Sequence, residues 1–171
     1  RVISVPVPTL KVSKSERAAL IEAIHSALFA AKICSYAQGM ALLKSASDEY
    51  GYDLPFGGIA LLWRGGCIIR AQFLDDIRAA FERRADLPNL LIDPHFREAV
   101  ESRQGALRAV VAAAVQAGIP CPAMSASLAY FDAYRTERLP ANLTQAQRDY
   151  FGAHTYRRLD KEGTFHTEWL A

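Results

Sequence analysis

The sequence predicts an all-α fold, and three observations lead to this prediction. Apolar residues recur at helical spacing over several long segments, capping residues mark helix boundaries, and no segment makes a convincing strand. The chain has 171 residues, of which 51% are hydrophobic, and this composition suits one domain with an apolar core. We therefore expect roughly seven helices, a long central one among them, and an irregular C-terminal tail.

The first twelve residues are predicted to form an extended lead-in rather than a central strand. Val2 to Leu10 alternates loosely, but Pro6 and Pro8 cannot donate to a sheet ladder. No partner strand is visible elsewhere in the sequence. The first regular element is therefore expected after this segment.

The longest predicted helix runs from Ser13 to about Tyr50. Ser13 and Glu16 have the spacing of a capping box, and Gly51 suits the left-handed residue that ends a helix. Apolar residues lie on more than one side of this helix, so we expect it to be central or to pack against another subunit. The apolar residues that show this are Leu20, Ile21, Ile24, Leu28, Ala31 and Ile33.

Shorter helices are predicted along the rest of the chain. The second of them shows the clearest pattern, since Ile69, Phe73, Ile77 and Phe81 repeat every four residues. Glycine and proline separate most of the others, and the tail from Arg157 onward has no periodicity. The predicted helices span about 58–64, 67–84, 95–103, 106–116 with an irregularity at Gly105, 122–137 and 144–151, and a turn or single helical turn covers 87–93.

Composition argues against several classes of partner. The formal net charge is +2, without the basic face or tail of a nucleic-acid binder. No uninterrupted apolar run approaches the roughly 20 residues that cross a bilayer, and no signal peptide is recognisable. The three cysteines are expected to be reduced thiols packed in the core of a cytoplasmic protein, and the four histidines lack metal-binding spacing. Arg1, in place of Met, indicates a piece of a longer polypeptide.

Residues 63–70 contain two adjacent glycines that allow two interpretations. Gly65 and Gly66 would present backbone N–H groups to an anion if a helix began at Cys67. Alternatively, they allow helices to approach closely while Trp63 fills the core. We favour the second interpretation, because no Lys or hydroxyl accompanies the glycines as in a phosphate loop. Cys67 has no neighbouring base and is expected to be packed rather than reactive.

Residues 147–156 combine aromatic bulk with polar groups, as the wall of a binding pocket does. Arg148 offers a planar fork of donors that matches a phosphate or a carboxylate. His154 would point about 240° away from it in an unbroken helix. Gly152 could end the helix in a left-handed turn and so return His154 toward Arg148. The alternative is a surface ion pair of Arg148 with Asp149, and a His154 that only interacts with the helix dipole.

Both segments resemble the decarboxylating 6-phosphogluconate dehydrogenases. The similarity runs in order from about Ala30 to the end, whereas residues 1–12 resemble the family only weakly. None of the matching segments is a generic motif. Besides 63–70 and 147–156, the matching segments are 31–39 (AKICSYAQG), 57–60 (GGIA), 116–120 (QAGIP), 139–143 (LPANL) and 165–169 (FHTEW), the last resembling the end of short-tailed bacterial forms.

The resemblance implies a division of the chain. Residues 1–156 would be the C-terminal half of the family's helical domain, and 157–171 its C-terminal tail. The family's N-terminal Rossmann domain, which binds NADP, would be missing. So would the lysine that acts as acid and base and the glutamate that protonates the enediol, because no Lys-x-x-His-Asn-Gly-x-Glu-Tyr stretch and no GxGxxG is found. No catalytic, cofactor-binding or metal-binding residue is therefore expected in this chain.

By the same resemblance, Arg148 would bind the phosphate of 6-phosphogluconate in the neighbouring subunit's site, and His154 would hydrogen-bond the substrate. Phe151 would line the same wall. The full-length enzyme would be a cytoplasmic homodimer that oxidises and decarboxylates 6-phosphogluconate to ribulose 5-phosphate in the pentose phosphate pathway of gluconate utilisation. Two alternatives remain open: a helical interaction module without catalytic duty, and a relative that acts on another hydroxy acid.

Overall fold

The computed structural model describes residues 8–169, which contain seven α-helices and one 3-10 turn but no strand. The prediction of an all-α fold is therefore confirmed. The part of the expected lead-in at 1–7 lies outside the described residues, and 8–12 form neither helix nor strand. The helices are α1 (Lys14–Tyr50), α2 (Phe56–Leu62), α3 (Leu74–Arg83), α4 (Pro94–Glu101), α5 (Gln104–Gln116), α6 (Pro122–Tyr134) and α7 (Asn142–Gly152), with the 3-10 turn at Leu90–Ile92.

The chain forms two compact units, Arg1–Asp132 and Ala133–Ala171. We call the first the core unit and the second the terminal unit. The core unit holds α1 to α5 and most of α6, whereas the terminal unit holds α7 and the segment that follows it.

The boundaries of α1 follow the predicted capping residues. Ser13 Oγ accepts the Glu16 N–H at 3.3 Å, and Glu16 Oε2 accepts the Ser13 N–H at 3.0 Å. Both groups are backbone donors that a helix start leaves without a partner in the helix. At the other end Gly51 takes a left-handed φ of 67°, which glycine adopts without a steric penalty.

Helix α1 organises the core unit through two apolar clusters. In the first, Ile33, Cys34, Ala37 and Met40 are buried against side chains of α3, the 3-10 turn and α4. In the second, small residues of α1 let Leu107 of α5 and partly buried side chains of α6 approach closely. The members of this second cluster are Ala27, Ala30, Ala31 and Leu107, with Val110, Val111, Met124 and Leu128 packed against them. The predicted central position of this helix is therefore confirmed.

Helix α1 is also the one helix of the described residues that could cross a membrane by length and composition. A core helix passes the same test. Because α1 supplies buried side chains to both apolar clusters, we interpret it as a core helix.

Helix α3 begins later than predicted. The predicted helix starts at Cys67, but 67–73 form turns and α3 starts at Leu74. The repeat of apolar residues explains the difference, because Phe73, Ile77 and Phe81 are buried whereas Ile69 is exposed. Burial therefore stabilises this helix only from Phe73 onward.

Candidate functional site

The candidate site lies at the end of α7, where the helix stops in an unexpected way. Gly152 remains helical, and Ala153 takes the left-handed conformation with a φ of 50°. The prediction that Gly152 itself makes the left-handed turn is therefore wrong. The role of Gly152 is steric: a Cβ there would lie 3.1 Å from Cδ2 and from Nε2 of His154. With glycine at this position the imidazole can lie directly against the helix backbone, whereas a Cβ would require the ring to shift by a few tenths of an ångström.

The position of this ring brings His154 to the side of the helix that carries Arg148. Gly152 follows Arg148 by four residues, so the two are neighbours on one helix face, about 40° apart around the axis. The His154 ring packs over Gly152 and thus lies one turn along from Arg148. Phe151 follows Arg148 by three residues, about 60° away on the other side of Arg148 around the axis, and 74% of its surface is exposed. A cation, an imidazole and an aromatic ring therefore share one exposed surface, which we call the α7 face.

Arg148 is exposed and donates to Gln145 Oε1 at 3.3 Å. Within residues 8–169 the structure gives it no ion pair, and Asp149 binds other groups. The alternative of a surface ion pair between Arg148 and Asp149 is therefore wrong. A guanidinium in this state can still bind an oxyanion through two parallel N–H groups.

Asp149 follows Arg148 directly, about 100° away around the axis of α7, and is fully buried, with 0% of its surface exposed. Its carboxylate is hydrogen-bonded by four groups, one from the turn after α7 and three from the tail. On Oδ1, the Thr155 N–H donates at 2.9 Å and His166 Nδ1 lies at 2.9 Å. On Oδ2, the Thr167 N–H and the Trp169 indole N–H each donate at 3.0 Å. We call this arrangement the Asp149 cluster.

The electrostatics of the Asp149 cluster favour an ionised pair. Burial alone would raise the pKa of Asp149, but the hydrogen bonds from His166, the Thr167 N–H and Trp169 outweigh it and hold the pKa at about 2. The hydrogen bond to Asp149 raises the pKa of His166, burial opposes this rise, and the charges of Asp149 and Glu168 add to it. The carboxylate is therefore charged at neutral pH, and His166 Nδ1 is the donor.

The tail after Tyr156 is ordered by its contacts within the terminal unit. Tyr156 and Phe165 exchange backbone hydrogen bonds of 2.8 and 2.9 Å, and the Tyr156 hydroxyl lies 2.7 Å from Thr167 Oγ1. Arg158 binds the Asp160 carboxylate and lies over the Phe165 ring. The sequence shows no periodicity here, because an isolated bridge and a polar cluster need none.

The Asp149 cluster was not found in the sequence. The sequence indicates Asp149 only as a surface partner for Arg148, and His166 only as one of four histidines and as a member of the matching segment 165–169. The partners of Asp149 in the tail lie 17, 18 and 20 residues away in the chain. One signal was available, because the chain ends in apolar and aromatic residues, Phe165 and Trp169 among them, outside any predicted helix. This pattern indicates that the tail is buried but not which residue it contacts.

Residues 63–70 agree with neither interpretation of their glycines. No helix begins at Cys67, so the predicted row of N–H groups is absent, and a Cβ on Gly65 or Gly66 would touch nothing. Gly66 instead makes a turn with a φ of 66°. Trp63 does pack, partly buried, against the first apolar cluster.

Two of the three cysteines differ from the expectation of packed thiols. Cys34 is buried, and burial raises the pKa of its thiol to about 11. Cys67 and Cys121 are only half-buried, and none of the three forms a disulfide. In the part of the chain that the structure describes, no three His, Cys, Asp or Glu side chains group as metal ligands.

Comparison with known proteins identifies the family. Residues 3–169 match the model of the family described as 6-phosphogluconate dehydrogenase, C-terminal domain. The chain is 59% identical over 163 residues to the NADP(+)-dependent, decarboxylating 6-phosphogluconate dehydrogenase of Bacillus subtilis, covering 95% of this chain and 35% of the relative. It is also 59% identical over 150 residues to the chloroplastic decarboxylating enzyme 2 of Spinacia oleracea, covering 88% of this chain and 28% of the relative.

A solved structure shares the fold. The 6-phosphogluconate dehydrogenase of Plasmodium falciparum, studied in its apo form, with its cofactor NADP+ and with its substrate 6-phosphogluconate, superposes with a TM-score of 0.82 at 46% identity. The match covers 94% of this chain and 34% of the Plasmodium chain. The chain thus spans about a third of the length of the relatives it matches. It belongs to the 6-phosphogluconate dehydrogenase family, of which it represents the C-terminal domain.

Proposed function

We propose that this chain completes the substrate site, and forms the dimer contact, of an NADP-dependent, decarboxylating 6-phosphogluconate dehydrogenase. Arg148 and His154 extend into a site formed mostly by a second subunit, with Phe151 on the same wall. The observation that carries the proposal is the α7 face, on which these three side chains are exposed together. The substrate and the cofactor are those that the names of the relatives state.

The chemistry of the α7 face suits binding rather than proton transfer. The Arg148 guanidinium can hold a phosphate through two charge-assisted hydrogen bonds, each worth about 1.5–3 kcal/mol when shielded from water. The His154 imidazole can donate to or accept from a sugar hydroxyl. In this proposal the lysine and the glutamate that transfer protons belong to the preceding part of the protein.

NADP is also assigned to the preceding part of the protein. A dinucleotide site of the Rossmann type needs a strand, a glycine-rich turn and a helix that presents its N-terminus to the pyrophosphate. Residues 8–169 contain no strand and therefore no such unit. We accordingly assign no step of hydride transfer to residues of this chain, and expect the 171-residue chain alone to be inactive.

The second element of the proposal is a homodimer. Four large apolar side chains of α1 are exposed and fall within about 60° around the helix axis, although polar residues separate them along the chain. An apolar stripe of this kind usually marks a contact surface. The four side chains are Ile21, Ile24, Leu28 and Leu42. In a two-fold dimer each subunit would supply its Arg148 and His154 to the other.

Mixed dimers test the shared site. A full-length chain with Arg148→Ala is co-expressed with a full-length chain whose catalytic lysine is replaced, and each variant alone is expected to be strongly impaired. If the site draws on two subunits, every mixed dimer has one intact site, and random pairing restores roughly a quarter of the wild-type activity. Activity no higher than that of the separate variants would contradict a shared site.

Substrate affinity tests the role of Arg148. In the full-length protein, Arg148→Ala is expected to raise KM for 6-phosphogluconate by roughly 10- to 100-fold, since it removes charge-assisted hydrogen bonds. Arg157→Ala is the matched control, because Arg157 is an exposed arginine nearby that the proposal does not use. An unchanged KM for Arg148→Ala would exclude a phosphate role and favour a relative that acts on another hydroxy acid.

Sedimentation of the full-length protein tests the dimer. Leu28→Glu places a charge in the exposed stripe of α1 and is expected to yield monomers, because burying an unpaired charge is costly. Val115→Glu on α5 is the control, since Val115 is exposed but lies outside the stripe. A Leu28→Glu protein that still sediments as a dimer would move the interface elsewhere.

For the compartment we propose the cytoplasm, on the basis of the sequence alone. One relative is named as chloroplastic, so the family is not confined to a single compartment. Fractionation of cells that express the full-length protein at its natural level tests the assignment. Recovery of the protein in an organelle would contradict it.

A further inference from the structure

The strongest unexplained feature outside the α7 face is the Asp149 cluster, on the buried side of the same helix. A carboxylate with 0% exposure is surrounded by four donors, three of which come from the tail. We propose that Asp149 is the positioning residue of the site: it fastens the turn after α7 to the tail and thereby sets the direction of His154 and Arg148. This proposal rests on the proposed function, because it concerns the same site.

The turn needs such a fastening because its backbone is unfavourable. His154 lies between Ala153 and Thr155, which have φ values of 50° and 61°. Residues other than glycine disfavour this left-handed region of backbone conformation, and a β-branched residue such as Thr155 disfavours it most. The chain therefore holds this conformation only where other contacts impose it.

Asp149 imposes this conformation directly. Its Oδ1 accepts the Thr155 N–H, and its own backbone oxygen accepts the Ala153 N–H at 2.9 Å. The Gln145 side chain also donates to the Thr155 oxygen from one turn earlier in α7. One aspartate thus binds both residues that flank His154 and so restrains the backbone that carries the ring.

The tail completes the cluster by saturating the carboxylate. His166 and the Thr155 N–H share Oδ1, while Thr167 and Trp169 donate to Oδ2. An asparagine here would have one acceptor oxygen, and its NH2 group would face donors whichever way it is turned. Asp149→Asn therefore tests the charge and the hydrogen bonds while it conserves the shape.

The experiment measures KM and kcat for 6-phosphogluconate in the full-length protein. The temperature is chosen so that circular dichroism shows each variant to be folded. Asp149→Asn is expected to raise KM by about 10-fold or more, the size expected when a charge-assisted contact is misplaced. Asp160→Asn is the control and is expected to leave KM unchanged, since Asp160 lies in the same unit but is exposed and pairs with Arg158, outside the Asp149 cluster.

A second pair of variants separates positioning from general stability. His166→Ala removes one of the two donors to Oδ1, whereas His166→Asn can retain a donor near the place of Nδ1. We expect KM of His166→Asn to fall between those of the wild type and His166→Ala. A loss of stability alone would lower the unfolding temperature of the variants without ordering their KM values in this way.

Gly152→Ala approaches the site from the other side. The new Cβ would displace the His154 ring but leave the four bonds of the Asp149 cluster in place. KM is expected to rise while the unfolding temperature stays the same or increases, since alanine favours a helix over glycine. An unchanged KM in this variant would mean that the ring's position over Gly152 has no role.

The outcomes separate this proposal from the proposed function. If Arg148→Ala raises KM but Asp149→Asn in a folded protein does not, the positioning role is overturned and the proposed function stands. If Arg148→Ala leaves KM unchanged, the proposed function fails, and the positioning role with it. If both raise KM, and KM of His166→Asn lies closer to that of the wild type than KM of His166→Ala does, the proposal is supported.

Discussion

Helix α1 in the core unit and helix α7 in the terminal unit are held in place by different physical interactions. In the core unit, α1 is held by apolar burial of small and branched side chains, and its ends carry local caps. In the terminal unit, α7 is held by a single buried carboxylate that gathers donors from the turn and the tail. Apolar burial tolerates small shifts, since it has no preferred direction, whereas hydrogen bonds to a carboxylate fix both distance and angle.

This difference matches the tasks of the two units. A core helix needs stability, and many weak contacts supply it. A surface that presents a cation and an imidazole needs a defined geometry, and a saturated buried polar cluster supplies that. We therefore expect the core unit to respond to changes in volume and the terminal unit to changes in charge. The two tryptophans allow this to be tested, because Trp63 lies in the core unit and Trp169 in the terminal unit.

The largest effect is expected for Phe96→Ala in the core unit. Phe96 is fully buried and makes an edge-to-face contact with Phe73, so its truncation should cost about 3–5 kcal/mol. Urea unfolding measures the free energy of unfolding of each unit, when it is followed by the fluorine resonances of 5-fluorotryptophan at positions 63 and 169. Leu143→Ala, at an 82% exposed position of α7, is the control and should change stability by less than about 0.5 kcal/mol. Equal costs for the two variants would contradict an apolar core.

The next effect is a pH dependence that belongs to the terminal unit. The pKa of Asp149 lies at about 2, so the stability from its ionised form is present above roughly pH 4 and is lost as the pH falls toward 2. The pKa of His166 is raised, so its contribution is present below roughly pH 6.5 and is lost as the pH rises through the raised value. The unfolding midpoint reported at Trp169 should therefore be highest between roughly pH 4 and 6.5.

The control for this pH dependence is His166→Asn, which cannot titrate. It should remove the loss on the alkaline side and retain the loss in acid. A midpoint at Trp169 that does not change with pH in the wild type would show that the Asp149 cluster contributes nothing to stability.

A smaller effect is expected at the start of α1. Ser13→Ala removes the side-chain acceptor of the capping box and should cost about 1 kcal/mol. The midpoint reported at Trp63 measures this change, and that at Trp169 should stay constant. Ser13→Asp retains an acceptor and should recover most of the loss. If Ser13→Asp is as unstable as Ser13→Ala, the cap is not the cause.

The smallest effect is expected for Asp48→Asn in the core unit. It gives the sharpest comparison, because the same substitution can be made in the terminal unit as Asp149→Asn. Asp48 of α1 binds Lys44 at 3.1 Å but is exposed to solvent, so Asp48→Asn should cost less than about 0.5 kcal/mol. Asp149→Asn should lower the midpoint of the terminal unit far more, because the amide keeps one acceptor oxygen and the donors that face its NH2 group lose their partner. Similar effects of the two substitutions would contradict the distinction between the units.

Much of the fold could be predicted from residue patterns. The capping box at Ser13, the stop at Gly51 and the all-α class are local properties, and each was found in the structure. The start of α3 was misplaced, because periodicity at Ile69 does not reveal whether anything covers it. The sequence indicated that a turn after α7 could bring His154 toward Arg148. It placed the left-handed residue of this turn at Gly152, whereas the structure has it at Ala153.

The sequence by itself determined where most helices begin and end, because caps, glycines and apolar spacing act over four residues or fewer. It also determined the family, through segments of the chain that match in order. Tertiary structure alone decided that Asp149 is buried, that its partners are in the tail and that His154 folds back over Gly152. The physical reason is that a buried carboxylate is stable only where donors meet it in space, and their distance along the chain leaves no local pattern.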